Sequence, residues 1–137
     1  MTKIWIMRAI IVVSLLAPNT ILARVKTCVD SPFEGRYRGQ WVAKTASGEH
    51  KGEWTLSINS AGRITGKEED YRTTRTADLN GSITDDGELR LLLEYPDATA
   101  TMKGTVVKTR SGHLKGTVNQ YSGKEVVATL EIDLSPA

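Results

Sequence analysis

Four times in this chain an apolar residue is followed two positions later by glycine: Ile64-Thr65-Gly66, Leu79-Asn80-Gly81, Met102-Lys103-Gly104 and Leu114-Lys115-Gly116. In the last three, the row continues at Ile83, Val106 or Val118. Residues i, i+2 and i+4 share one face of a strand, so each segment reads as an inward apolar row with one side chain left out. Glycine weakens a strand interior unless the sheet bends sharply or another group comes close. A sheet that curls onto itself needs such bends. The pattern predicts a small antiparallel barrel.

From Gly35 onward, strand-like rows and turn residues alternate about every 10 to 15 residues, a rhythm shared by all-β barrels and sandwiches. Tyr37, Gly39, Trp41 and Ala43 fall on one face; so do Trp54, Leu56 and Ile58, and later Leu89, Leu91 and Leu93. Asn80-Gly81 carries a hairpin-turn signature, but its spacing matches the other inward rows, so it is read as strand. Asp85-Asp86-Gly87 is a clearer turn, because Asp tolerates tight turn geometry and Gly supplies positive φ. The expected fold is all-β, an eight-stranded antiparallel up-and-down barrel spanning residues 35–137, with a β-sandwich as the alternative.

Residues 1–23 read as a cleaved signal peptide. Lys3 and Arg8 supply the positive charge, the apolar run from Ile10 to Ala17 is too short to span a bilayer, and Ala23 offers a cut before Arg24. Residues 24–34 lack an apolar period and contain Ser31-Pro32, which reads as a flexible, exposed arm. The chain carries 18 basic and 16 acidic residues, but Lys3 and Arg8 leave with the signal, and the remainder is formally neutral. Backbone phosphates are held by concentrated basic surface, so nucleic acid is not an expected partner. Cys28 is the only cysteine, so no internal disulfide staples the fold. It is either an incidental thiol in the arm or half of an intermolecular disulfide. The expected location is periplasmic or extracellular, with no membrane span after cleavage.

Chemistry-bearing residues are sparse. His50 and His113 are the only histidines, each in or beside a turn, and two imidazoles do not make a metal site without further ligands. No metal, cofactor or catalytic residue is expected. In the acidic run Glu68-Glu69-Asp70, consecutive carboxylates point to opposite faces, and Glu68 shares the face of Ile64 and Gly66. It is either a solvated strand end or a carboxylate at a barrel mouth. Residues 44–52 align without gaps to residues 108–116, with Lys, Thr, Ser, Gly, Lys and Gly coinciding, through duplication of a hairpin or through convergence on one turn chemistry.

Gly39-Gln40-Trp41, opening the first strand of an eight-stranded meander, resembles the G-x-W start of calycin barrels, the lipocalin and avidin group. The resemblance implies a closed barrel with a binding interior. It does not extend to biotin, whose site in avidin-like proteins uses several tryptophans that are missing from this chain. Small secreted bacterial protease inhibitors look similar too, with a G-x-W barrel preceded by an arm that enters an enzyme cleft.

The expected function is an exported, non-enzymatic binding module. Its candidate ligand-binding residues are Tyr37, Trp41, Trp54 and Glu68, surrounding a small apolar ligand in an interior that the glycines leave vacant. The alternative is a protein-interaction or inhibitor module acting on an envelope or extracellular enzyme.

Overall fold

The computed structural model describes residues 30–137. The expected signal segment, Cys28 and residues 24–29 of the expected arm lie outside the described residues. Eight strands follow one another: β1 (Gly35–Thr45), β2 (Gly48–Ile58), β3 (Arg63–Asp70), β4 (Thr76–Ile83), β5 (Glu88–Tyr95), β6 (Ala98–Lys108), β7 (Leu114–Ser122) and β8 (Glu125–Pro136). Each pairs antiparallel with its chain neighbours, and β1 pairs with β8, which closes the barrel. The expected up-and-down barrel is therefore the fold, and the sandwich alternative falls away. Asn80-Gly81 lies inside β4, as its spacing predicted.

Register explains the inward glycines. Each faces a large inward apolar side chain on a neighbouring strand. Gly66 sits between Leu56 and Leu79, Gly81 between Ile64 and Leu91, Gly104 between Leu89 and Val118, and Gly116 between Val106 and Ile132. Small and large positions thus alternate around the wall, which lets side chains interdigitate in a narrow barrel. The wall is so tightly curved that a Cβ at Gly81 would collide with the carbonyl oxygen of Arg90. The resulting core includes Trp54, Leu56, Ile64, Leu79, Leu93 and Met102, all essentially inaccessible to solvent. Outward positions such as Lys51, Thr55, Lys67, Asp78, Arg90 and Lys103 are exposed. This is the reverse of a lipid-facing barrel, whose apolar side chains point out.

The two barrel ends differ. Hairpins β2–β3, β4–β5 and β6–β7 turn at one end, where residues 30–34 pack. Phe33 is buried there, its carbonyl accepts a 2.7 Å hydrogen bond from the Tyr37 hydroxyl, and the Ser31 amide donates to the Ser60 carbonyl at 2.8 Å. Ser31 and Phe33 of the expected arm are therefore part of the fold, whereas Asp30, Pro32 and Glu34 between and beside them are exposed. A single aromatic in a segment without periodicity carries no strand or helix signal, yet it is enough to plug a barrel end. Hairpins β1–β2, β3–β4, β5–β6 and β7–β8 turn at the opposite end, which stays open.

The curvature argument makes a direct test. Gly81→Ala is expected to lower unfolding stability by about 1–3 kcal/mol, the usual cost of forcing volume into a packed wall. An unchanged urea midpoint would show that the wall relaxes around the added methyl.

Candidate functional site

At the open end a concavity of about 250 Å³ enters the barrel between β1, β3, β5 and β8. Its floor is Trp41, Ala43, Ala128 and Leu130; its polar lining includes His50, Glu68, Tyr95 and Gln120. Strand parity places these groups together. β1, β3, β5 and β7 all end at the mouth and β2 and β8 begin there, so their mouth-end inward positions converge.

Two local irregularities shape the wall. The β7–β8 register shifts between Gln120 and Tyr121: Gln120 pairs with Ala128 but Tyr121 pairs with Val126, leaving Val127 as the extra residue. Such bulges re-aim side chains and favour barrel rims. Here the inward row Leu134, Ile132, Leu130 and Ala128 stops at the bulge, and Val127 emerges partly exposed at the rim. On the facing strands, the Trp41 ring lies over Gly52, its partner across β1–β2, where a Cβ would collide with the indole.

Glu68 is the buried acid of the site, 4% exposed. Burying a carboxylate is costly unless its oxygens are hydrogen-bonded. Both are. Trp54 donates Nε1–H to Oε1 at 2.7 Å, and Tyr95 donates its hydroxyl to Oε2 at 2.8 Å. Tyr95 reaches across from β5 because β4 presents only the small Ala77 opposite Glu68. Arg75 in turn stacks on the Tyr95 ring, 4.5 Å from its centre, and ion-pairs with Asp97. Desolvation raises the Glu68 pKa, opposed by the Trp54 and Tyr95 hydrogen bonds, while Asp70 adds a smaller upward push. Burial first, then the neighbouring Glu68 charge, push the Tyr95 hydroxyl far above its usual range, so it remains a donor.

The two barrel tryptophans have different fates. Trp54 spends its N–H on Glu68, whereas the buried Trp41 Nε1 has no hydrogen-bond partner. His50 Nδ1 is likewise buried and unpartnered, while its Nε2 lies 3.4 Å from the Ser47 hydroxyl.

Of the residues predicted from sequence, Trp41 and Glu68 line the cavity. Trp54 stands behind Glu68 as its hydrogen-bond partner. Tyr37 does not join them: it sits at the closed end, bonded to Phe33. Glu68 is an inward, bonded group rather than a solvated strand end. His50, Tyr95 and Gln120 were not singled out as lining residues. Parity could have found them, since all lie near strand termini that an up-and-down barrel brings to one end. Parity also keeps the histidines apart. The β1–β2 and β6–β7 hairpins open at opposite ends, so His113 pairs instead with Asp133 at 2.9 Å. The matching Lys-Thr-x-Ser-Gly turns therefore also lie at opposite ends. Copying a whole hairpin would have kept the end, so the match reads as convergence on turn chemistry; both turns carry the same 3.0 Å hydroxyl pair, Thr45–Ser47 and Thr109–Ser111.

Among the described residues, no group of three or more His, Cys, Asp or Glu side chains is placed to hold a metal ion. Comparison of the chain with models of protein families, with curated proteins and with solved structures finds no match.

The Glu68 environment has a pH consequence. A carboxyl whose folded pKa lies above its unfolded value stabilises the fold fully below the unfolded pKa, and that contribution is lost as pH rises through the folded pKa. Wild type is therefore expected to lose stability relative to Glu68→Gln as pH increases from the ordinary carboxylate range toward neutrality. The substituted side chain does not titrate, yet it keeps an oxygen for Trp54 and an amide for Tyr95. Urea unfolding of both proteins across that range checks it, and parallel pH profiles would contradict it.

Proposed function

We propose that this protein is an exported, non-enzymatic binding barrel that takes a small molecule at its open mouth. The observation that carries the reading is the asymmetry of the barrel. One end is plugged by Phe33, the middle is filled with aliphatic side chains, and a recess at the other end opens over mixed polar and apolar groups. Ligand sites combine apolar walls with convergent polar groups; here the polar side chains, among them His50, Glu68, Asp70, Tyr95 and Gln120, outnumber the apolar ones. At about 250 Å³ the recess is below the usual range for drug-sized ligands, so its occupant is small. The packed interior moves the expected ligand from the barrel centre to the mouth and makes it partly polar. Both Glu68 oxygens already serve structural donors, which favours binding over turnover.

A second reading, a module that interacts with or inhibits an envelope or extracellular protein, is favoured by the rim itself. Tyr71, Val126 and Val127 are exposed apolar residues at the mouth end. Its version based on the arm has less support, because Ser31 and Phe33 are committed to the closed end.

Native mass spectrometry of the protein exported by its own host separates the readings. The expected result is a mature mass beginning at Arg24 that carries a small noncovalent adduct, and loss of that adduct in Ala128→Phe, which fills the recess. A bare protein that instead loses a protein partner on Tyr71→Ser or Val127→Ser would overturn the small-molecule reading in favour of the second.

A further inference from the structure

We propose that the outer wall over β3 to β6 is a docking surface for an extended acidic segment of a protein partner, one whose carboxylates alternate with apolar side chains. The surface is separate from the mouth and does not depend on what the mouth holds.

Like charges placed directly opposite each other on neighbouring strands are destabilising. On the outer wall they meet at Glu53–Glu69, Asp78–Glu94 and Arg90–Lys103. Both acidic pairs are relieved within the fold. Arg38 ion-pairs with Glu53 at 3.1 Å, Lys67 with Asp78 at 2.9 Å, and the Asn80 amide donates to Glu94 at 3.1 Å. The basic pair has no such relief. Neither Arg90 nor Lys103 forms an ion pair among the described residues, and Lys103 only leans over the Tyr121 ring, 5.7 Å from its centre. Arg63 joins them in one register row through Ser82, likewise without an acidic partner among the described residues. The side chains of this row are exposed. At about 4.8 Å per strand, the row from Arg63 to Lys103 is roughly 14 Å long. A local conflict that the fold leaves uncompensated belongs to function more often than to stability. What is missing is an anion from outside.

The neighbouring row decides which kind of anion. Beside the cations, toward the mouth, run Thr65, Asn80, Leu92, Thr101 and Tyr121, none of them charged. Leu92 breaks the polar outer face of β5 and is 37% exposed. Beyond this row lie Asp78 and Glu94, and Glu88 borders the cations on their other side. A broad anionic surface such as a membrane would press against those acids. A narrow chain lying along the two rows avoids them. An extended polypeptide sends alternate side chains to opposite sides, so it can offer carboxylates to the cations and apolar groups to Leu92 and Tyr121. An acidic glycan has no apolar side chains for the second row. The wall also dips here, in a concavity of about 300 Å³ that Arg90, Lys103, Asn119 and Tyr121 line together with Glu88. Because the closed barrel has no edge strand to extend, recognition falls to these side chains.

The test titrates the ¹⁵N-labelled full chain with an acetylated, amidated heptapeptide that alternates glutamate and valine. Saturable amide shifts are expected at Ser82, Leu92, Lys103 and Asn119, with binding that weakens as salt is raised. Arg90→Gln combined with Lys103→Gln is expected to weaken binding about threefold to tenfold, the size of two good exposed ion pairs. The same double variant is expected to unfold at or above the wild-type urea midpoint, because it also removes the opposed charges. A lower midpoint would mean that the pair serves the fold, and would overturn the proposal. Leu92→Ser is expected to weaken the valine peptide but not a glutamate–serine peptide. Equal binding of the two peptides to wild type would overturn the apolar half of the assignment. Tighter binding of polygalacturonate, or of vesicles containing phosphatidylglycerol, would reassign the surface to a glycan or a membrane. No saturable shift along the row with any of these probes would remove the docking surface altogether.

Discussion

Everything in this fold depends on the chain being able to close β1 onto β8, and closure depends on where side chains are absent. A narrow barrel cannot point a large residue inward from every position of every strand. Placing glycine opposite large partners on both flanking strands solves the crowding and allows tight curvature at the same points. Gly81, between Ile64 and Leu91, shows the coupling: the same missing side chain makes room for two neighbours and lets the wall come within contact of the Arg90 carbonyl. The glycines that look like vacancies in the sequence are filled by the residues across from them.

That economy stops at the open end, where the wall changes character. The inward row of β8 ends at the Val127 bulge, and the inward row of β3 ends in a carboxylate. Glu68 is tolerated because two aromatic donors from β2 and β5 converge on it, and Trp54 needs an acceptor as much as Glu68 needs donors. The arrangement spans four successive strands and ties together the side of the mouth that it lines. Across the recess Trp41 has the same burial and no such partner, so the site pairs a saturated acid with an unsatisfied donor.

Most of the architecture was legible because it obeys a local rule. Period-two alternation located all eight strands, and the spacing of Leu79, Gly81 and Ile83 outweighed the turn signature of Asn80-Gly81. The site was legible only in part. Trp41 and Glu68 were placed on inward faces, but faces say nothing about height along the barrel axis. Height is set by strand order and parity, which put Tyr37 at the plugged end and sent His50 and His113 to opposite ends. Phe33 and Val127 escaped for another reason. A lone aromatic before the first strand, and one extra residue inside the last, produce no periodic signal; only the register with distant partners reveals what they do.

An even number of alternating strands has one more effect. β1 begins and β8 finishes at the same pole, beside Phe33, and the mouth lies at the other. Whatever precedes or follows the barrel leaves from the plugged pole. Held through either end against a surface, a particle or a fusion partner, the barrel would stand with its recess directed outward, like a cup set on its base. The rim loops are then free to vary in length and charge without disturbing the attachment, and the attachment can change without touching the rim.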